Sequence, residues 1–224
     1  MHGAKNAPGI VPQAINFIFQ TIEATPERDF VLRCSYLEIY NECINDLLSP
    51  NGINLKLADD RKRGVRVIGA LEEVCNSLDH VQSLLKVGEV NKHYASTAAN
   101  LRSSRAHTVF RMIIDGKNRD GPKELTSSVV NLIDLSGSES ANVHTPEDVK
   151  RAREMKYINK SLLNLGIVIM RLSEKNSEKT WIPYRDSKLT RILQSAMSGQ
   201  SKISIICNIS PAKSEETINT LRFA

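Results

Sequence analysis

Apolar residues recur along this chain at two spacings, one helical and one extended. Ile15, Ile18, Phe19 and Ile22 follow Gly9 and Pro12 at intervals of three and four, which predicts a helix over residues 12–22. Residues 29–40 are rich in Val, Leu, Tyr and Ile and predict a strand. The short segment 42–48 reads as a helical turn closed by Ser49-Pro50-Asn51-Gly52. A short strand is expected over 65–68, then an amphipathic helix over 78–92 with Asp79 near its start, where a carboxylate suits the helix dipole. Residues 108–115 and 127–134 predict two strands joined by the charged loop 116–123. A long helix over about 154–173 follows, then a helix over 187–197, a strand over 203–209 and a last helix opened by Ser214-Glu215-Glu216. Helices interleaved with strands that are apolar on both faces predict an α/β fold, a central, mostly apolar sheet covered on both sides.

At 224 residues the chain can bury one sizeable core, and no Pro/Ser/Gly-rich linker divides it, so a single domain over residues 1–224 is the simplest expectation. No window approaches the ~18 continuous apolar residues that span a bilayer. No basic stretch followed by an apolar segment marks a leader, so no membrane is expected and the expected location is the cytoplasm. Cys34, Cys43, Cys75 and Cys207 lack paired C-x-x-C spacing and read as reduced thiols rather than a metal or disulfide set. The five histidines share no metal spacing.

A net charge of +5 is modest, but it is concentrated. Between Lys150 and Arg191 stand eleven Lys or Arg against four acidic residues, which implies an acidic partner or, equally on charge alone, a solvated basic surface. Aromatics are few and do not interleave with this run, which argues against nucleic acid.

Two short strings carry the candidate chemistry. Asn100-Leu101-Arg102-Ser103-Ser104-Arg105-Ala106-His107 gathers hydroxyls and a guanidinium in a loop. Asp134-Leu135-Ser136-Gly137-Ser138-Glu139 sets a carboxylate at the end of the apolar run Val129-Val130-Asn131-Leu132-Ile133 and follows it with a Gly. Hydroxyls can ligate Mg²⁺ or orient a water, an Asp at a strand end can hold the metal's water shell, and a Gly amide can approach a γ-phosphate closely because no Cβ intervenes. By itself Ser103-Ser104-Arg105 is also an ordinary polar loop, and Asp134 is also a solvated strand-end cap. The phosphate-cradling pattern G-x-x-x-x-G-K-[ST] does not occur in these residues.

These strings resemble switch I (N-x-x-S-S-R-S-H) and switch II (D-L-A-G-S-E) of the kinesin motor domain. Ile158-Asn159-Lys160-Ser161-Leu162 and Tyr184-Arg185-Asp186-Ser187-Lys188-Leu189-Thr190 match two further kinesin signatures in the family's order. The resemblance runs from Met1-His2-Gly3, similar to the stretch after the family's P-loop, to Leu221-Arg222-Phe223-Ala224. Residues 30–41, 88–94 and 205–207 are most similar to centromere-associated and plant kinesins. The resemblance implies a three-layer motor core lacking its N-terminal strands and P-loop. It implies ATP and Mg²⁺ as ligands of the intact motor and microtubules as the partner, hence a cytoskeletal location. It also implies that Asn100 and Ser103 lie near the phosphates, that Ser104 contacts Mg²⁺ or the γ-phosphate, and that Asp134 holds Mg²⁺ through water. Gly137 is then the γ-phosphate sensor, and Arg105 pairs with Glu139 as a latch that closes with the loops.

Three departures qualify the expectation. Ser136 stands where the family usually has Ala, and Ala106 where it usually has Ser. Residues 140–157 contain no Gly, where kinesins usually have two. Thr145-Pro146-Glu147-Asp148 instead reads as a helix start, with Pro146 at the first helical position, so the helix through Ile158 is expected to begin early. Lys150, Arg151, Arg153 and Lys160 on that helix, with Arg185, Lys188 and Arg191 beyond it, match the family's track-docking region. Trp181 and Tyr184 are expected to pack the loop between, and His107 to pack at a strand entry. A motor ATPase with only the second half of its machinery in these residues is the favoured reading; a non-hydrolysing microtubule-binding protein is the alternative.

Overall fold

The computed structural model describes residues 1–4, 6–60, 64–97, 105–122, 124–137, 146–174, 180–198, 201–212, 217–218 and 220–221. The side chains of residues 93–97, 146–156 and 158 lie outside that description. In chain order the elements are β1 (Gly3–Ala4), β2 (Ala7–Pro8), α1 (Ile10–Glu23), β3 (Arg28–Tyr40), β4 (Cys43–Asp46), β5 (Lys56–Asp60), β6 (Gly64–Ile68), β7 (Glu73–Cys75), α2 (Leu78–Thr97), β8 (His107–Asn118), β9 (Leu125–Asp134), α3 (Pro146–Ser173) and α4 (Lys188–Met197). The architecture is α/β. No helix among the described residues is long and apolar enough to cross a membrane.

Two compact units make up the chain. The first, Met1–Lys56 with Gly69–Ser136, is built on an antiparallel sheet in the order β4-β3-β8-β9, with β7 also on β3. Its core lies where α1 and α2 meet one sheet face. Val11 and Ile15 from α1 and Val81 and Leu85 from α2 close over Cys34, Tyr36, Phe110 and Met112. Both faces of the middle of β3 are buried, since Ser35, Leu37 and Ile39 are covered as fully as Cys34 and Tyr36. The Tyr36 and Phe110 rings meet edge to face, centroids 5.4 Å apart, a favoured aromatic geometry. The second unit, Leu57–Ile68 with Gly137–Ala224, contains α3, α4 and most of the β5–β6 hairpin.

Three expectations are corrected. The segment after Tyr40 is not a helical turn: Cys43–Asp46 is a strand antiparallel to β3, because Asn41 and Glu42 both take positive φ (50° and 59°) and fold the chain into a tight hairpin. Residues 203–209 form no strand and leave Ile203, Ile205, Ile206 and Ile209 exposed. Their composition favours a strand, but no ladder pairs with them among the described residues. The strand ending at Asp134 is not buried either. Among the described residues β9 pairs only with β8, and its residues 125–129 are exposed and 130–134 half-buried. The early start of the long helix is borne out, with Pro146 its first residue.

Candidate functional site

Strand pairing brings the two strings together. In the β8–β9 ladder Thr108 faces Asp134, so the chain entering β8 through Arg105-Ala106-His107 runs beside the chain leaving β9 through Asp134-Leu135-Ser136. His107 is buried and receives the main-chain N–H of Ser136 on Nδ1 at 3.0 Å, with the Ser136 hydroxyl 3.2 Å from the same nitrogen. A donated N–H needs a lone pair, which assigns the ring proton to Nε2. Burial lowers the His107 pKa to about 4, so the ring stays neutral. Its position at the first residue of β8 agrees with packing at a strand entry. Ala106 is also buried, so the Ser usual in the family would have to bury a hydroxyl there.

Beneath Asp134 lies a polar cluster that the sequence reading missed. The buried Tyr36 hydroxyl donates to Glu89 Oε1, and His2 Nε2 sits 3.2 Å from the same oxygen. The His2 hydrogen bond, then that of Tyr36, outweighs desolvation and holds Glu89 down to about 2. Desolvation, the Glu89 carboxylate and the charge of Asp134 all push the Tyr36 phenol up. Residues 2, 36, 89 and 134 thus meet electrostatically at one end of the sheet. The available signal was Glu89, a carboxylate in the body of the helix that covers β3.

Of the predicted site residues, Arg105 and Asp134 are half-buried at the two chain ends that the ladder joins. Gly137 is half-buried and opens the second unit. Asn100, Ser103, Ser104 and Glu139 lie outside the described residues, as does the Arg105–Glu139 latch. No cluster of three His, Cys, Asp or Glu suited to a metal occurs among the described residues. The half-buried Asp134 carboxylate is a hard-oxygen group, chemically suited to the water shell of Mg²⁺.

The basic residues belong to the second unit. Ser187 caps α4, its hydroxyl accepting the Thr190 N–H at 3.1 Å, and buried Thr190 donates to the Tyr184 carbonyl at 2.8 Å. The 3-10 turn Tyr184–Asp186 is tied to α3 by the Asn164 amide, which donates to the Asp186 carbonyl at 3.1 Å. This frame holds the Arg185 side chain 78 % exposed, while that of Arg191 is 13 % exposed, and both pair with Asp59 on β5. Lys188 is half-buried and Lys160 exposed. Lys150, Arg151 and Arg153 lie on α3, their side chains outside the description. Trp181 does not pack the loop as expected. It is 74 % exposed, because the turn is held by Thr190 and Asn164 instead.

The kinesin motor domain family profile matches residues 1–224. The chain is 50 % identical over 230 aligned residues to kinesin-like protein KIN-7D, chloroplastic, of Oryza sativa subsp. japonica, covering all of this chain and 22 % of that protein. It is 49 % identical over 229 residues to kinesin-like protein KIN-7K, chloroplastic, of Arabidopsis thaliana, covering all of this chain and 23 % of that one. The chain thus spans less than a quarter of the length of these curated relatives. Among solved structures it is similar to the Kar3-like kinesin motor domain from Ashbya gossypii, with TM-score 0.82, 34 % identity, and 99 % of this chain and 67 % of that one covered. It is also similar to a fast kinesin, with TM-score 0.84, 38 % identity, and 97 % and 61 % covered.

Proposed function

The chain belongs to the kinesin motor domain family, and from that premise we propose that it is part of a microtubule-dependent ATPase that moves along microtubules and locates to the cytoskeleton. The observation that carries the reading is the β8–β9 ladder, which sets Asp134 beside the chain leaving Arg105. Asp134 would hold a water of the magnesium shell, and the Gly137 amide would meet the γ-phosphate. Ser104 would ligate the metal, with Asn100 and Ser103 near the phosphates and Arg105 paired to Glu139. Bound Mg·ATP supplies a phosphoryl group whose transfer depends mostly on positioning and charge stabilisation. This chain's contribution is the switch side of that arrangement.

Lys150, Arg151, Arg153, Lys160, Arg185, Lys188 and Arg191 form the track-docking set in this reading. The test is cosedimentation with microtubules. Binding is expected at low salt and should weaken toward physiological salt, where the Debye length is about 8 Å. Arg185→Glu with Lys188→Glu should weaken it further; unchanged binding in that double variant sinks the docking assignment. A non-hydrolysing microtubule-binding protein is the second reading. Microtubule-stimulated release of phosphate by the chain would exclude it.

A further inference from the structure

Arg185 and Arg191 both face one carboxylate from another part of their own unit. Asp59 on β5 has its Oδ2 3.8 Å from the Arg185 guanidinium and pairs more closely with Arg191 through Oδ1. With Trp181 these three border a cleft of about 390 Å³. The Asp59 side chain is 65 % exposed and Arg185 is more exposed still, so their pair has little net worth and breaks at low cost. Arg191 differs. Its stem is covered by the fold and its guanidinium is also held by the Gln194 side-chain oxygen, so it keeps its place whether or not Asp59 stays. The neighbouring Asp60 is engaged with Arg66 at 3.7 Å. One exposed carboxylate therefore sits on two guanidinium groups, one exposed and one held by the fold, beside an exposed indole.

We propose that Asp59 is an internal stand-in for an acidic partner, holding Arg185 and Arg191 in the free protein and giving way to carboxylates of the microtubule surface when the chain docks. The inference rests on the docking reading above and adds an opposing group to it. Charge complementarity selects the occupant: two arginines aimed at one carboxylate are already arranged for another. Trp181 supplies flat apolar area beside them, the kind of anchor that concentrates binding energy at an interface. Asp59 subtracts from docking by occupying the arginines and by repelling an incoming negative charge.

The test compares the chain with its Asp59→Asn variant, which keeps size and an acceptor oxygen but removes the charge. Asp59→Asn should tighten microtubule cosedimentation by about threefold to tenfold at low salt, the range of a single near-surface charge, with the gain shrinking as salt rises. In an Arg185→Gln background the gain should fall. A second readout uses Trp181, the only tryptophan in the chain. A poly-glutamate peptide, which carries none, should shift its emission, and the shift should reach half-saturation at lower peptide concentration in Asp59→Asn. If the unaltered chain does not bind microtubules, the docking reading and this inference fall together. If it binds and Asp59→Asn binds no more tightly, or more weakly, only this inference is overturned and Asp59 is a structural partner of Arg191.

Discussion

The main-chain N–H of Ser136 donates to Nδ1 of His107 across 3.0 Å, in a site where both residues are buried. That bond ties the second residue beyond Asp134 to the first residue of β8, so the two candidate phosphate-sensing strings are joined at their feet. The backbone supplies the donor, and the Ser136 hydroxyl only adds to it. Ser136→Ala should therefore cost no more than about 1 kcal/mol, whereas Ser136→Pro, which removes the N–H, should leave Nδ1 buried and unmatched at about 1–3 kcal/mol. Chemical denaturation of the two variants checks the order.

His107 also sets a pH window. Its pKa is about 6.5 unfolded and lowered to about 4 in the fold, so between those values the unfolded chain binds more protons. The stability tied to the neutral ring is fully present above pH 6.5 and is lost as pH falls toward 4, a difference of about 3 kcal/mol at 1.36 kcal/mol per pH unit. His107→Asn, neutral throughout, should flatten the denaturation midpoint between pH 6.5 and 4.5. Glu89 acts lower. Its folded pKa of about 2 lies below its usual 4.5, so its share is lost only as pH falls from 4.5 toward 2. A midpoint in His107→Asn that still falls steeply from pH 6.5 would assign the loss to another group.

Gly88 lets α2 lie close against Tyr36 of the sheet. A Cβ built there would stand 2.1 Å from Cδ1 of Tyr36, a ring that cannot yield because it is buried, stacked edge-on against Phe110 and held by Glu89. Gly88→Ala gains helix propensity of about 1 kcal/mol, yet overpacking costs about 1–3 kcal/mol. The expected sign is destabilising, and Gly88→Val should be worse. A thermal midpoint raised by Gly88→Ala would mean that the helix slides away from β3 freely.

Elements with a strong local signal were legible. Pro146 announced the start of α3, a helix was expected over 187–197 where α4 lies, and the Val/Ile/Leu-rich runs marked β3, β8 and β9. The β4 hairpin was not, because Asn41 and Glu42 adopt positive φ without the Gly that usually flags such a turn. Residues 203–209 carry strand composition, but composition encodes propensity and not the presence of a neighbour to pair with. The same limit applies at the site. The strand-end position of Asp134 was readable from the apolar run before it, while the His2–Glu89–Tyr36 cluster joins residues 34 and 53 positions apart and only the folded chain brings them together. Asp59 escaped notice because the polar β5 strand was not anticipated.

Nucleotide affinity should reflect how little of the phosphate cradle these residues hold. Among the described residues Asp134 and Gly137 are the predicted phosphate-side groups, and G-x-x-x-x-G-K-[ST] is absent from the 224 residues. Without a run of backbone N–H groups and a Lys around the β- and γ-phosphates, Mg·ATP should bind the chain no tighter than about 1 mM, roughly −4 kcal/mol. Calorimetric titration decides it. Micromolar affinity would show that another segment of these residues supplies the cradle.

The last prediction concerns exposed strand-forming surface. Among the described residues β9 pairs on one side only, and its outer edge carries no Pro and its ladder with β8 no bulge, while Val129 and Leu125 stand exposed on its surface. Separately, Ile203, Ile205, Ile206 and Ile209 lie exposed in a segment with no ladder among the described residues. Free edges and apolar runs of this kind recruit either another strand or a hydrophobic probe. The chain should therefore bind an apolar fluorescent dye under native conditions, and Ile205→Lys with Ile206→Lys should lower the signal without lowering stability, since neither side chain is buried. A chain that binds no dye and unfolds in one cooperative step would refute the prediction, and would mean that these surfaces are satisfied within the 224 residues themselves.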